Sequence, residues 1–166
     1  PLRRQRQMCI RDRLEALFVA AGIGEVIAAR AFISGAEGGC QAEIGSASAM
    51  AAAALAELCG ASPAASLSAA AMAVKNILGL VCDPVAGLVE CPCIKRNAMG
   101  AANAVLAADM ALAGISSIIP FDEVVGAMRS VGRLMNVDLR ETARGGLAAT
   151  ATALEITKNI SMENED

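Results

Sequence analysis

The sequence predicts an all-α fold, a compact bundle of alanine- and glycine-rich buried helices joined by cysteine-bearing loops. Three observations predict it. Hydrophobic residues make up 55% of the 166 positions and charged residues 19%, so the chain can bury a core. Most of that apolar content is alanine, which enters a helix without losing side-chain entropy. Aromatic residues are nearly absent, with three Phe and no Trp or Tyr, and no segment alternates convincingly as a strand. Small side chains let helices approach one another closely.

The elements follow in order. Residues 1–13, "PLRRQRQMCIRDR", have no apolar period and no cap. This head resembles translated adapter sequence, with a disordered basic arm as the alternative, and is set aside as non-native. If so, the native start is missing, and the folded domain covers 14–157. From Leu14 to Phe32, apolar residues recur near the helical period, at Leu14, Leu17, Phe18, Ala21, Val26 and Ile27. Gly22 and Gly24 weaken the middle, so two shorter helices are a second reading. "SGAEGGCQAEIG", residues 34–45, reads as a glycine loop that lets backbone approach a neighbour. Ser46 or Ser48 then caps a helix to Cys59. Ser62 and Pro63 open the next, as N-cap and first helical residue, running to about Leu78. Pro84, Gly87 and Pro92 make 79–92 irregular. A long helix is expected from Asn97 to Ser117, because Pro120 cannot continue it. In "PFDEVVGAMRSVGRLM", residues 120–135, Val124, Val125, Met128, Val131, Leu134 and Met135 share one side. Asp122 and Glu123 suit the positive end of its dipole. Residues 139–150 read as a helix end and glycine turn, and 158–166 as a frayed polar tail.

Charge excludes one class of partner. Arg3, Arg4, Arg6, Arg11 and Arg13 lie in the head with Asp12, leaving nine basic against sixteen acidic residues in the body. A body of net charge −7 argues against nucleic acid. The head is not followed by the apolar core and cleavage site of a signal peptide, so a cytoplasmic location is expected. The one span to test for a membrane, Ala98 to Ile119, carries Asn103 and Asp109. A charge at mid-bilayer costs about 2.5–3.5 kcal/mol on insertion scales, so a buried helix and no membrane association are expected.

The six cysteines are Cys9, Cys40, Cys59, Cys82, Cys91 and Cys93, and there is no histidine. Cys59, in an apolar helix, reads as a small core side chain. Cys40, Cys82, Cys91 and Cys93 sit in glycine- or proline-rich loops, where a metal ligand belongs. Structural zinc prefers paired C-x-x-C hooks or histidines, and neither exists. Iron–sulfur ligation takes thiolates alone across wide gaps. Spacing leaves two readings open, an iron–sulfur site and inert buried thiols.

Four stretches go further: "SGAEGGCQAEIGSA", "KNILGLVCDPVAGLVECPCIKRNAMGAANA", "IPFDEVVGAMRSVG" and "LRETARGGLAAT". Together, from Leu14 to Thr150, they resemble the α chain of bacterial iron–sulfur L-serine dehydratases. The resemblance implies a helical catalytic domain with a 4Fe–4S cluster on Cys40, Cys82 and Cys93, and Cys91 as an extra. It implies deamination of L-serine to pyruvate and ammonia without pyridoxal phosphate. One iron would lack a protein ligand and act on the β-hydroxyl. A β chain or β domain, whose serine- and histidine-containing motif helps bind substrate, and an oligomeric assembly are implied as partners. Lys95 and Asn97, with Arg96 between them, are expected to face the substrate carboxylate. Glu43 and Glu90 flank the cysteine loops and are expected to serve as hydrogen-bonding groups. Ala151 departs from the family, where Pro usually follows "LAAT". The competing functions are an L-cysteine desulfidase-like lyase and a non-catalytic iron–sulfur redox module, in which Cys91 would be a fourth ligand.

Overall fold

The structure is a computed structural model and describes residues 10–163. Its α-helices are α1 Ile10–Arg30, α2 Gly35–Gly38, α3 Cys40–Leu58, α4 Pro63–Ile77, α5 Cys93–Leu112, α6 Phe121–Leu134 and α7 Ala151–Glu163. Short 3-10 turns lie at Val85–Gly87, Val137–Leu139 and Gly146–Ala149. No strand is present among the described residues, so the all-α expectation holds. The deepest helix is α3, with α1, α4 and α5 packed around it.

Alanine makes that packing possible. Ala49, Ala52, Ala53 and Ala56 of α3 are fully buried against Ala69 to Ala71 of α4 and Ala104, Ala107 and Ala108 of α5. A Cβ at Gly100 would lie 2.7 Å from Ile44 Cγ2, so α5 sits against α3 only because that position is glycine. The larger side chains, Ile23, Ile27, Met72, Val74, Val124, Val125 and Met128, close the core between α1, α4 and α6.

Buried and half-buried polar side chains tie the helices in register. Asn103 Nδ2 donates to Ser48 Oγ at 2.8 Å and to the Ala73 carbonyl at 3.0 Å, while Asn103 Oδ1 accepts from Asn76 at 2.7 Å. One side chain of α5 thus holds α3 and α4. Gln41, 1% exposed, donates to the Met128 carbonyl at 3.1 Å and accepts from the Gly79 amide at 2.8 Å. Satisfied in this way, buried amides cost little and fix relative position.

Several boundaries differ from the sequence reading. α1 is one helix, because Gly22 faces open space and Gly24 makes room for Met50, 3.1 Å from where a Cβ would stand. It starts at Ile10, so residues 10–13 of the basic head are helical, while 1–9 lie outside the described residues. α3 begins at Cys40 rather than at Ser46 or Ser48; Gly39, at φ 77°, makes the turn, and Gly45 is ordinary helix interior. α5 begins at Cys93 rather than Asn97 and ends at Leu112 rather than Ser117. Gly114, at φ 86°, stops it: the Gly114 amide bonds the Ala111 carbonyl and the Ile115 amide the Met110 carbonyl. That is a Schellman stop, and its signal was the glycine, six residues before the proline. Leu134, expected on the buried side of α6, is 86% exposed, and Gly132 takes the inward position. The segment from Lys158 continues α7 to Glu163.

The Ser62 cap is as read: its hydroxyl accepts from the Ala65 amide at 3.3 Å, with Pro63 opening α4. No described helix is long and apolar enough to cross a membrane.

Candidate functional site

The thiols of Cys40, Cys82 and Cys93 come from three separate segments and are all buried, at 2%, 3% and 8% exposure. Cys40 and Cys93 are each the first residue of a long helix, α3 and α5. That position sets both sulfurs at the positive end of a helix dipole, which favours anionic sulfur. The Cys40 turn depends on glycine, since a Cβ on Gly39 would lie 2.6 Å from Met135 Sδ and 2.8 Å from the Leu80 carbonyl.

Cys82 is held by backbone. Its amide donates to the Leu139 carbonyl and its carbonyl accepts from the Glu141 amide, both at 2.8 Å, an isolated parallel bridge pairing Cys82 with Arg140. The glycine-rich segment 139–146, about sixty positions away, is therefore what fixes the Cys82 loop. A Cβ on Gly35 would stand 2.9 Å from Cys82 Sγ and 3.1 Å from Glu43 Oε2, so only glycine lets the α2 backbone pack this closely against the sulfur.

Ligand atoms of Cys40, Cys82 and Glu43 all lie within 4.8 Å of one another. Glu43 is exposed, one turn along α3 from Cys40. Cys93 is not in that closest group of three but shares its field. Burial raises its thiol above the usual 9.0, followed by the charges of Cys40 and Glu43. Burial likewise raises Cys82, with Cys40 next in effect. It raises Cys40 too, against hydrogen bonds from Cys82 and Arg96 that pull the other way. Burial thus favours the neutral thiols in this nest, and a metal cation held there would displace their protons.

A buried ion pair braces the nest. Arg96 Nη1 donates to Asp83 Oδ1 at 2.7 Å and to the Val81 carbonyl at 2.8 Å, and stands 3.9 Å from Cys40 Sγ. The Asp83 side chain is 3% exposed, and its second oxygen accepts from the Leu147 amide at 2.7 Å. Burial alone would lower the Arg96 pKa, but the bond and charge of Asp83 outweigh it and raise it. Gly146, at φ 60°, is needed because a Cβ there would lie 2.4 Å from Asp83 Oδ2.

The remaining sequence candidates sit outside this nest. Lys95 and Asn97 are exposed on the first turn of α5, next to Cys93. Cys91 and Glu90 are exposed, Cys59 is half-buried at the end of α3, and Cys9 lies outside the described residues. Asp83, Arg140 and the glycines at 35 and 146 were not singled out from sequence. The signal for Asp83 was available, as the residue directly after Cys82; for Arg140 there was none.

The serine dehydratase alpha chain family model matches residues 2–148. The chain is 63% identical over 144 residues to a probable L-serine dehydratase, alpha chain, of Bacillus subtilis, covering 87% of this chain and 48% of that one. It is 56% identical to the L-serine dehydratase, alpha chain, of Peptoniphilus asaccharolyticus, covering 87% and 49%. With L-serine dehydratase 2 of Escherichia coli it shares 52% identity, over 84% of this chain and 31% of that one. The chain thus spans about half the length of the first two of these relatives. With that match running through all three buried thiols and the loops that hold them, the chain belongs to the serine dehydratase alpha chain family.

Proposed function

We propose that this chain is the cluster-bearing part of an L-serine dehydratase, an ammonia-lyase that converts L-serine to pyruvate and ammonia without pyridoxal phosphate. The observation that carries the proposal is the close approach of the buried Cys40 and Cys82, with buried Cys93 within the field of Cys40, in a histidine-free chain whose relatives bear that name.

The donor set fits an iron–sulfur group. Thiols alone suit iron and sulfide, and the helix ends favour anionic sulfur. Cys40, Cys82 and Cys93 are the proposed ligands of a 4Fe–4S cluster. When bound through three thiolates, such a cluster supplies one iron free of protein ligand, a Lewis acid for a substrate hydroxyl. The chain's own residues do the rest. Arg96 and Asp83 hold the three ligand loops together. Lys95 and Asn97, exposed beside Cys93, are proposed to face the substrate. Lys95 and Glu43 are the chain's candidates for accepting the α-proton, since no histidine is available. Loss of that proton and of the β-hydroxyl as water leaves aminoacrylate. This tautomerises to the imine, and one water then releases ammonia and pyruvate. A β chain or β domain, oligomeric assembly and a cytoplasmic setting belong to the same proposal.

The test is anaerobic reconstitution with iron and sulfide, followed by iron content, visible absorbance and L-serine turnover with a β chain supplied. About four irons per chain are expected, lost in Cys40→Ser, Cys82→Ser or Cys93→Ser and kept in Cys91→Ser. A folded chain that takes up no iron, or an unchanged iron content in all three ligand variants, refutes the proposal.

A further inference from the structure

The charge around the thiols poses a problem for an anionic substrate. Glu43, Glu141 and the sulfurs themselves bring negative charge to Cys82. The nearest cation, Arg96, is spent on Asp83 and the Val81 carbonyl. Arg30 pairs with Asp122 and Arg144 with Asp138. An amino acid carboxylate entering this field needs a positive group that is not already committed.

Lys95 is exposed beside Cys93, and a second such group, half-buried on the Cys82 side, is Arg140. Its backbone pairs directly with Cys82, and bridge partners in adjacent chains project their side chains to the same side. The guanidinium is half-buried, yet its bonding is poor. Nε is buried with no partner, and Nη1 reaches only the Glu37 carbonyl, at 3.4 Å. No carboxylate pairs with it among the described residues. A buried guanidinium N–H without an acceptor is costly, and the five-donor fork is shaped for a carboxylate. The contact it does make is to Glu37, two residues from Gly35, whose backbone packs close against Cys82 Sγ. Orphan donor and thiol therefore lie on the same side of the Cys82 loop.

We infer that Arg140 binds the substrate's carboxylate and selects for α-carboxylates, while Lys95 and Asn97 meet other parts of the substrate. This inference rests on the serine dehydratase reading. Arg140 is a specificity residue that sequence alone did not mark, because its position depends on a bridge between distant segments.

The experiment compares wild-type, Arg140→Gln and Arg140→Lys as the iron-loaded protein with a β chain supplied, on L-serine and L-serinamide. Arg140→Gln is expected to raise the KM for L-serine about 10- to 100-fold, the value of one charge-assisted pair. It should change kcat by less than about threefold and leave the iron content unaltered. Arg140→Lys, keeping the charge, should recover part of the loss. The preference for L-serine over L-serinamide should vanish in Arg140→Gln. An unchanged KM, or a loss of iron in step with activity, overturns the inference, the latter by showing a structural role. If the wild-type protein loads iron but, with the β chain supplied, does not turn over L-serine, the dehydratase reading fails. Calorimetric binding of the two ligands then decides Arg140 separately. A wild-type preference for L-serine that Arg140→Gln loses supports the site, and equal binding in both proteins overturns it.

Discussion

Replacing Arg96 with Met isolates what the ion pair contributes. The substitution keeps the length and apolar stem of the side chain but removes both bonds from Nη1, to Asp83 at 2.7 Å and to Val81 O at 2.8 Å. Asp83, 3% exposed, is left as a buried carboxylate with only the Leu147 amide as donor. Removing one partner of a buried pair costs about 3–5 kcal/mol. The Arg96 side chain is 15% exposed, so water softens the loss and the lower end, about 3 kcal/mol, is expected. That is a large share of the about 5–15 kcal/mol that holds a domain folded. In urea, with a slope of about 2 kcal/mol per molar, the midpoint should fall by about 1.5 M. Pairing Arg96→Met with Asp83→Asn removes the stranded charge, so the double variant should be more stable than the sum of the singles by about 0.5–3 kcal/mol. The assay is urea denaturation of the iron-free chain under reductant, followed by helical circular dichroism. A midpoint within 0.3 M of wild type, or strict additivity, would refute the idea that this pair braces the thiol loops.

Three further outcomes follow from the same geometry. Gly35→Ala places a Cβ 2.9 Å from Cys82 Sγ, a contact the flexible thiol can relieve by turning. The melting temperature should therefore move little while iron uptake falls at least severalfold, measured by iron analysis after reconstitution. The raised thiols of Cys40, Cys82 and Cys93 make the iron-free chain alkali-sensitive. Above the ordinary value of 9.0 the unfolded chain loses protons that the folded chain keeps, so stability falls as pH rises, by up to about 1.4 kcal/mol per pH unit per thiol. Below pH 8 these groups contribute no slope, and urea midpoints from pH 7 to 10.5 check both limbs. Ala151→Pro should stabilise the chain by about 0.4–1 kcal/mol in the same assay. Ala151 is the first residue of α7, and Thr150 before it is extended at φ −72°, ψ 153°. That geometry accepts proline without losing an intrahelical bond. It also accounts physically for the proline expected at this position.

Helix type was legible in the chain, since alanine content, the Ser62–Pro63 start and the α6 apolar stripe act locally, while the short α2 and the terminal α7 were not foreseen. Errors at the ends share one cause. A glycine has one meaning as a helix stop, as at Gly39 and Gly114, and another as a packing gap, as at Gly24 and Gly100. Only the neighbour it faces tells them apart. The identity of the thiol loops was also legible, because "GGCQAEIG" and "CDPVAGLVECPCIKRN" are linear motifs. Their convergence was not. Cys82 reaches its place through backbone bonds to residues 139 and 141, and Asp83 through Arg96 and Leu147, contacts that carry no sequence periodicity. By itself the sequence determined an all-helical chain and pointed to the loops that bear its cysteines. The tertiary structure alone decided which charges are committed and which stay free, because pairing depends on distance in space and not along the chain.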